Sequence, residues 1–133
     1  MGEDEFVHLN PPRTMTTKEI ATRLVAYCRK QDWSGAQREL YSADALSVEP
    51  HETPAFAKET KGLSAILEKG KKFDAMVETM HSLAVSEPVV ANNSFACVMS
   101  MDVTMKGHGR MQMSELCVYD VKDGKIVREE FHL

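Results

Sequence analysis

The chain has 133 residues, 43% apolar and 27% charged, with a formal net charge of -4, the make-up of one globular domain with enough apolar material for a core. This acidic balance disfavours nucleic acid as a partner, because the one basic cluster, Lys69, Lys71 and Lys72, is interleaved with Glu68 and Asp74. No stretch reaches the roughly 18 apolar residues of a membrane span, and residues 1 to 14 (MGEDEFVHLNPPRT) lack the basic and apolar segments of a signal peptide, so the expected compartment is the cytoplasm.

In chain order, residues 1 to 14 are polar, end in Pro11-Pro12, and read as a flexible N-terminal arm ahead of a single domain over 15–133. "TTKEIATRLVAYCRK" predicts a first amphipathic helix. Thr16 and Glu19 have capping-box spacing, and Ile20, Leu24, Tyr27 and Cys28 recur at helical period. "QDWSGAQRELYS" predicts a shorter second helix, through Trp33, Ala36 and Leu40. Trp33 would anchor its packing or form part of a pocket wall.

"ALSVEP" is then a short strand stopped by Pro50. Glu49 at its end is either a surface charge or a carboxylate facing a pocket, with His51 one residue beyond the proline. After the loop "HETPAFAKET", the stretch "KGLSAILEKGKKFDAMVETM" puts Leu63, Ile66, Leu67, Phe73, Met76, Val77 and Met80 on one stripe, a long third helix with Gly70 as its weak point.

From residue 81 the period changes to two, giving strands broken at "SEP", "ANN", "KGHG" and "KDGK". Helices first and a strand meander last is an α+β pattern, an antiparallel sheet with helices on one face.

Cys28, Cys97 and Cys117 are odd in number and far apart, as befits small apolar core side chains rather than a disulfide framework. No HxH or HExxH spacing and no glycine-rich phosphate loop is present, so neither a structural metal nor a cofactor is expected.

Within the meander, Phe95, Cys97, Met99, Met101, Val103 and Met105 share one strand face, and Met111, Met113, Glu115, Cys117, Tyr119 and Val121 share one face of the next. A loop of Gly107-His108-Gly109 would pair Met105 with Met111 and Met101 with Glu115, uniting the two sets. The turn signal Asp123-Gly124 would pair Val121 with Ile126 and continue to Cys117 with Glu130 and Glu115 with His132. Glu115 would then be a lone carboxylate among methionines with a histidine opposite. Loss of hydration would raise its pKa and the histidine would oppose the rise, the balance that a tunable acid or base needs. The alternative buries the other sheet face and makes Glu115 and His132 a surface pair.

The order of elements, with "LYSADALSVEP", "KGLSAILEKG" and the closing "VYDVKDGKIVREEFHL", resembles the SnoaL-like branch of the nuclear transport factor 2-like superfamily over residues 16 to 133. The resemblance implies a cone-shaped, curved antiparallel sheet wrapped around three helices, also called cystatin-like. It further implies a pocket at the open end and dimerisation through the sheet's outer face. Among the ketosteroid isomerases of that superfamily an aspartate base precedes a proline at the end of the first strand, a position that Glu49-Pro50 matches with glutamate. Cys117 stands where those enzymes hold a protonated aspartate, and Tyr27 only approximates their oxyanion tyrosine, so steroid isomerisation is not expected.

Two readings follow. One is a cofactor-free enzyme moving protons on, cyclising or hydrating a carbonyl or polyketide-like compound, with Glu49 or Glu115 as base and His51, His132 or Tyr27 orienting the substrate. The other is a non-catalytic module whose pocket, walled by Met99, Met101, Met113, Cys117 and Tyr119, holds a hydrophobic small molecule. In both, Val98, Leu116, Val118 and Phe131 are expected to need a second copy to cover them, making a homodimer.

Overall fold

The structure, a computed structural model, describes residues 14–133; the expected N-terminal arm falls, but for Thr14, outside the described residues. Helix α1 (Thr17–Arg29) starts at the expected capping box: Glu19 N donates to Thr16 Oγ1 at 3.1 Å and Thr16 N to Glu19 Oε1 at 2.8 Å. Its apolar stripe buries Ile20, Leu24, Val25 and Cys28. Asp32 caps α2 (Trp33–Leu40) by accepting from Gly35 N at 3.0 Å.

The chain passes from α2 straight into β1 (Tyr41–Val48), then β2 (Glu59–Lys61) and α3 (Leu63–Met76). The third helix was expected to run on to Met80, but β3 (Val77–Val85) begins where α3 stops. Val77 and Met80 fit either period, and the ladder from Val77↔Met105 to Val85↔Met99 decides for strand. β4 (Val89–Ala91), β5 (Ser94–Met105), β6 (Gly109–Lys122) and β7 (Lys125–His132) complete a sheet of order β2-β1-β7-β6-β5-β3, with β4 on β5.

The sheet is mixed rather than wholly antiparallel, because β1 runs parallel to β7. A parallel neighbour needs a long crossover, and residues 49–124 lie between these two strands. The result is the expected α+β cone: three helices in a curved sheet that does not close on itself. The core fills the concave side, where Ile20, Leu24 and Leu40 meet Phe95 and Tyr119, whose rings stack at 4.7 Å.

Two registers differ from expectation. The β5–β6 loop is Lys106–His108, with Gly107 and Gly109 at φ of 77° and 80°, so Met105 faces Gly109, and Glu115 faces Met99 rather than Met101. A two-residue slip keeps each side chain on its face, and the Phe95 to Met105 set is buried as anticipated.

In the β6–β7 hairpin, Asp123 and Gly124 take the positive φ of a two-residue turn and Val121 faces Ile126. A bulge then adds one residue to β7, so that Asp120 faces Arg128, Tyr119 faces Glu129, Cys117 faces Phe131 and Leu116 faces His132. An odd shift exchanges faces. Without it Arg128 and Glu130 would point at the core; with it Glu129 and Phe131 do, and Arg128 and Glu130 form an ion pair of 2.9 Å instead.

Candidate ligand cavity

A cavity of about 540 Å³ opens between the helices and the concave sheet face. Its wall is mostly apolar: Met99, Met101 and Met113 from the sheet, Trp33, Ile66 and Phe73 from the helices. Exposed His51, Pro54, His108 and Leu133 belong to its rim. Into this surface project four charged side chains, Glu49, Lys69, Glu115 and Glu129.

Three of the four are joined. Lys69 on α3 donates to Glu49 Oε2 at 2.8 Å and to Ser47 Oγ at 2.6 Å; Ser47 in turn donates to Glu129 Oε2 at 2.6 Å. The Tyr41 hydroxyl donates to Glu129 Oε1. The parallel ladder makes Ser47 and Glu129 register partners, and both are buried, at 0% and 4% exposure. Burial pushes the Glu129 carboxyl up, against the pull of the Ser47 and Tyr41 hydrogen bonds and the Lys69 charge. Tyr41 is raised in turn by burial and by Glu129.

Glu115 is different. Half-buried on β6 between Met113 and Cys117, it has no hydrogen bond or ion pair among the described residues. Burial first, then the charges of Glu49 and Glu129, push its carboxyl up to about 7, against the pull of Lys69.

Of the residues singled out from sequence, Glu49, Glu115, Trp33, His51, Met99, Met101, Met113 and Tyr119 line this cavity. Three do not. His132 faces Leu116 on the convex side, half-exposed and 3.9 Å from Glu130, because the bulge turns it outward. Tyr27 gives its hydroxyl to Glu39 on α2, which holds that hydroxyl's pKa up. Cys117 is fully buried beside Cys97 and behind the wall. All three cysteines are free and buried, and burial lifts the Cys28 thiol to about 12.

Sequence reasoning missed Ser47, Lys69, Tyr41 and above all Glu129. A signal existed for the last. A regular β7 would send Arg128, Glu130 and His132 into the core, and avoiding that burial cost requires a bulge. Among the described residues no group of three or more His, Cys, Asp or Glu is arranged to hold a metal ion, and no helix is long and apolar enough to cross a membrane.

The SnoaL-like domain family model matches residues 15–133. The chain belongs to the SnoaL-like family. A Mesorhizobium loti protein proposed to be a SnoaL-like polyketide cyclase, and also labelled carbohydrate phosphatase, is 32% identical over 90% of this chain and 100% of its own, with a TM-score of 0.83. A nuclear transport factor 2-like protein of unknown function from Burkholderia pseudomallei is 14% identical over 90% and 92% of the two chains, with a TM-score of 0.71. A Catenulispora acidiphila protein of ketosteroid isomerase-like fold, in complex with trimethylamine, is 17% identical over 86% and 85%, with a TM-score of 0.67. No functionally curated protein matches the chain by sequence. This SnoaL-like domain therefore has the nuclear transport factor 2-like, or cystatin-like, fold.

Proposed function

We propose that this SnoaL-like domain binds a compact, largely apolar carbonyl compound and moves a proton on it without a cofactor, with Glu115 as the acid and base. The observation that carries this is Glu115 itself: a carboxyl group with no protein partner, in an apolar cavity where burial pushes its pKa up to about 7. A group whose pKa lies near the working pH is available both as the base toward a carbon beside a carbonyl and as the acid that returns the proton. Lys69, the lysine among the lining residues, is the cation for the negative charge that develops on the carbonyl oxygen, and its bonds to Ser47 and Glu49 hold it in place. Glu49, in this reading, holds Lys69 rather than acting as the base. A homodimer through the convex face is part of the proposal, supported by the exposed Val98 and Leu116.

A cavity whose other polar groups bond chiefly to one another also suits plain binding, and one experiment separates the two. Trp33 is the chain's single tryptophan and lines the cavity, so its fluorescence reads occupancy. α-Tetralone, an apolar ketone with exchangeable α-protons, should quench it, and NMR in D₂O should show α-proton exchange that Glu115→Gln abolishes. Quenching without exchange leaves a binding module, and neither signal rejects both readings.

A further inference from the structure

We infer that the cavity selects amphipathic organic cations, a protonated amine on an apolar body, with Glu115 as the counter-ion. This rests on the cavity being the ligand site and not on its being catalytic. The charges that meet there are unequal. Glu49, Glu115 and Glu129 are three carboxylates from three elements, and Lys69 is the one lysine among the lining residues. Lys69 is already committed to Glu49 and, through Ser47, to Glu129. Glu115 is left without a countercharge, against an apolar wall where an unpaired charge is costly.

A ligand can supply what the protein withholds. An ammonium bonded to Glu115 would place its apolar body against Met99, Met101 and Met113, the flexible surface that tolerates varied shapes. The rings of the same wall accept cations already. Lys69 Nζ stands 5.6 Å from the centroid of Phe131, and Lys72 Nζ 5.5 Å from that of Phe56. A neutral carbonyl ligand forms no ion pair with Glu115 and gains nothing comparable from its ionisation. The two classes therefore differ in whether affinity rises with pH.

Glu49 after β1, Lys69 on α3, Glu129 on β7 and the buried Cys97 and Cys117 interact with Glu115, and His51 and His108 are the other titratable groups lining the cavity, at its rim. Substituting Glu115 alone isolates its share from the rest. With a free-cavity pKa of about 7, Glu115 is ionised in about a tenth of molecules at pH 6 and about nine tenths at pH 8. An ammonium that requires the carboxylate should thus bind about tenfold more tightly at the higher pH.

The test uses α-aminotetralin, which stays charged across that range, beside α-tetralone of the same skeleton, both followed by Trp33 fluorescence and calorimetry. The expected result is an amine affinity that rises about tenfold from pH 6 to pH 8 and exceeds that of the ketone at pH 8. Glu115→Gln should lose both the rise and the preference, and Glu115→Met, which extends the methionine wall, serves if the glutamine variant folds poorly. An amine no tighter than the ketone at pH 8, or a preference that survives both variants, overturns the inference. Ketone binding without amine preference sinks only this inference; a cavity that takes neither compound sinks the proposed function as well.

Discussion

Lys69 Nζ and Glu49 Oε2 are 2.8 Å apart, with 14% and 24% of their side chains exposed. The carboxylate before Pro50 thus turns inward, yet with its charge already matched, and in the proposed function the reactive part falls to Glu115. The carboxylates of the cavity differ because Lys69 is bonded to Glu49 directly and to Glu129 through Ser47, whereas Glu115 has no such bond.

Replacing Lys69 by methionine should separate these parts. Glu49 and Glu129 lose their shared cation, and the protein should be destabilised by about 1–3 kcal/mol, less than a fully enclosed pair would cost. Glu115 loses the one charge that lowers its pKa, so its titration should move further above 7. Carboxylate NMR and urea unfolding report the two effects, and an unchanged Glu115 titration in Lys69→Met would contradict the electrostatic account.

Glu115 should also shape stability against pH. Its folded pKa is raised from an ordinary 4.5 to about 7, so between those values the folded state holds a proton that the unfolded chain has released. Stability from this group is therefore present in full below about pH 4.5 and lost as pH rises through 7, by up to about 3 kcal/mol. Glu115→Gln should remove that slope and be more stable than wild type at pH 8. Urea titrations at pH 5 and pH 8 check it, and a glutamine variant with the wild-type slope would show that another group is responsible.

Glu129 should be the most sensitive position of the cavity floor. Glu129→Leu fills the space but strands the Tyr41 and Ser47 hydroxyls, for a loss of about 3 kcal/mol. Glu129→Gln retains an acceptor and should lose less than half as much. Thermal unfolding that ranks the two variants equally would mean that volume, not hydrogen bonding, governs the site.

On the convex face Val98 and Leu116 sit directly opposite each other and are 41% and 42% exposed. Phe131, expected beside them, lines the cavity instead, so the proposed contact is narrower. Changing both to lysine should convert a dimer to monomers. Light scattering decides, and a wild type already monomeric at tens of micromolar ends the proposal.

Local chemistry explains how far the sequence alone reached. Thr16 and Glu19 announce the start of α1, and Asp123-Gly124 announces the last turn, because in each case the groups that satisfy one another lie within a few residues. The alternation Phe95 to Met105 and Met111 to Val121 likewise places Glu115 on the methionine face, and a two-residue error in the loop could not displace it, since faces repeat every two residues. Tertiary structure decided the rest. Whether 77–80 continued a helix depended on a ladder with β5; whether His132 or Glu129 faced inward depended on one extra residue in β7. The parallel contact of β1 with β7 brings Ser47 to Glu129 across 82 positions of chain. No local pattern specifies such a pairing: it is selected by burying Glu129 with Ser47 and Tyr41 as donors while Arg128 and Glu130 stay at the surface, a balance that exists only once all the strands are in place.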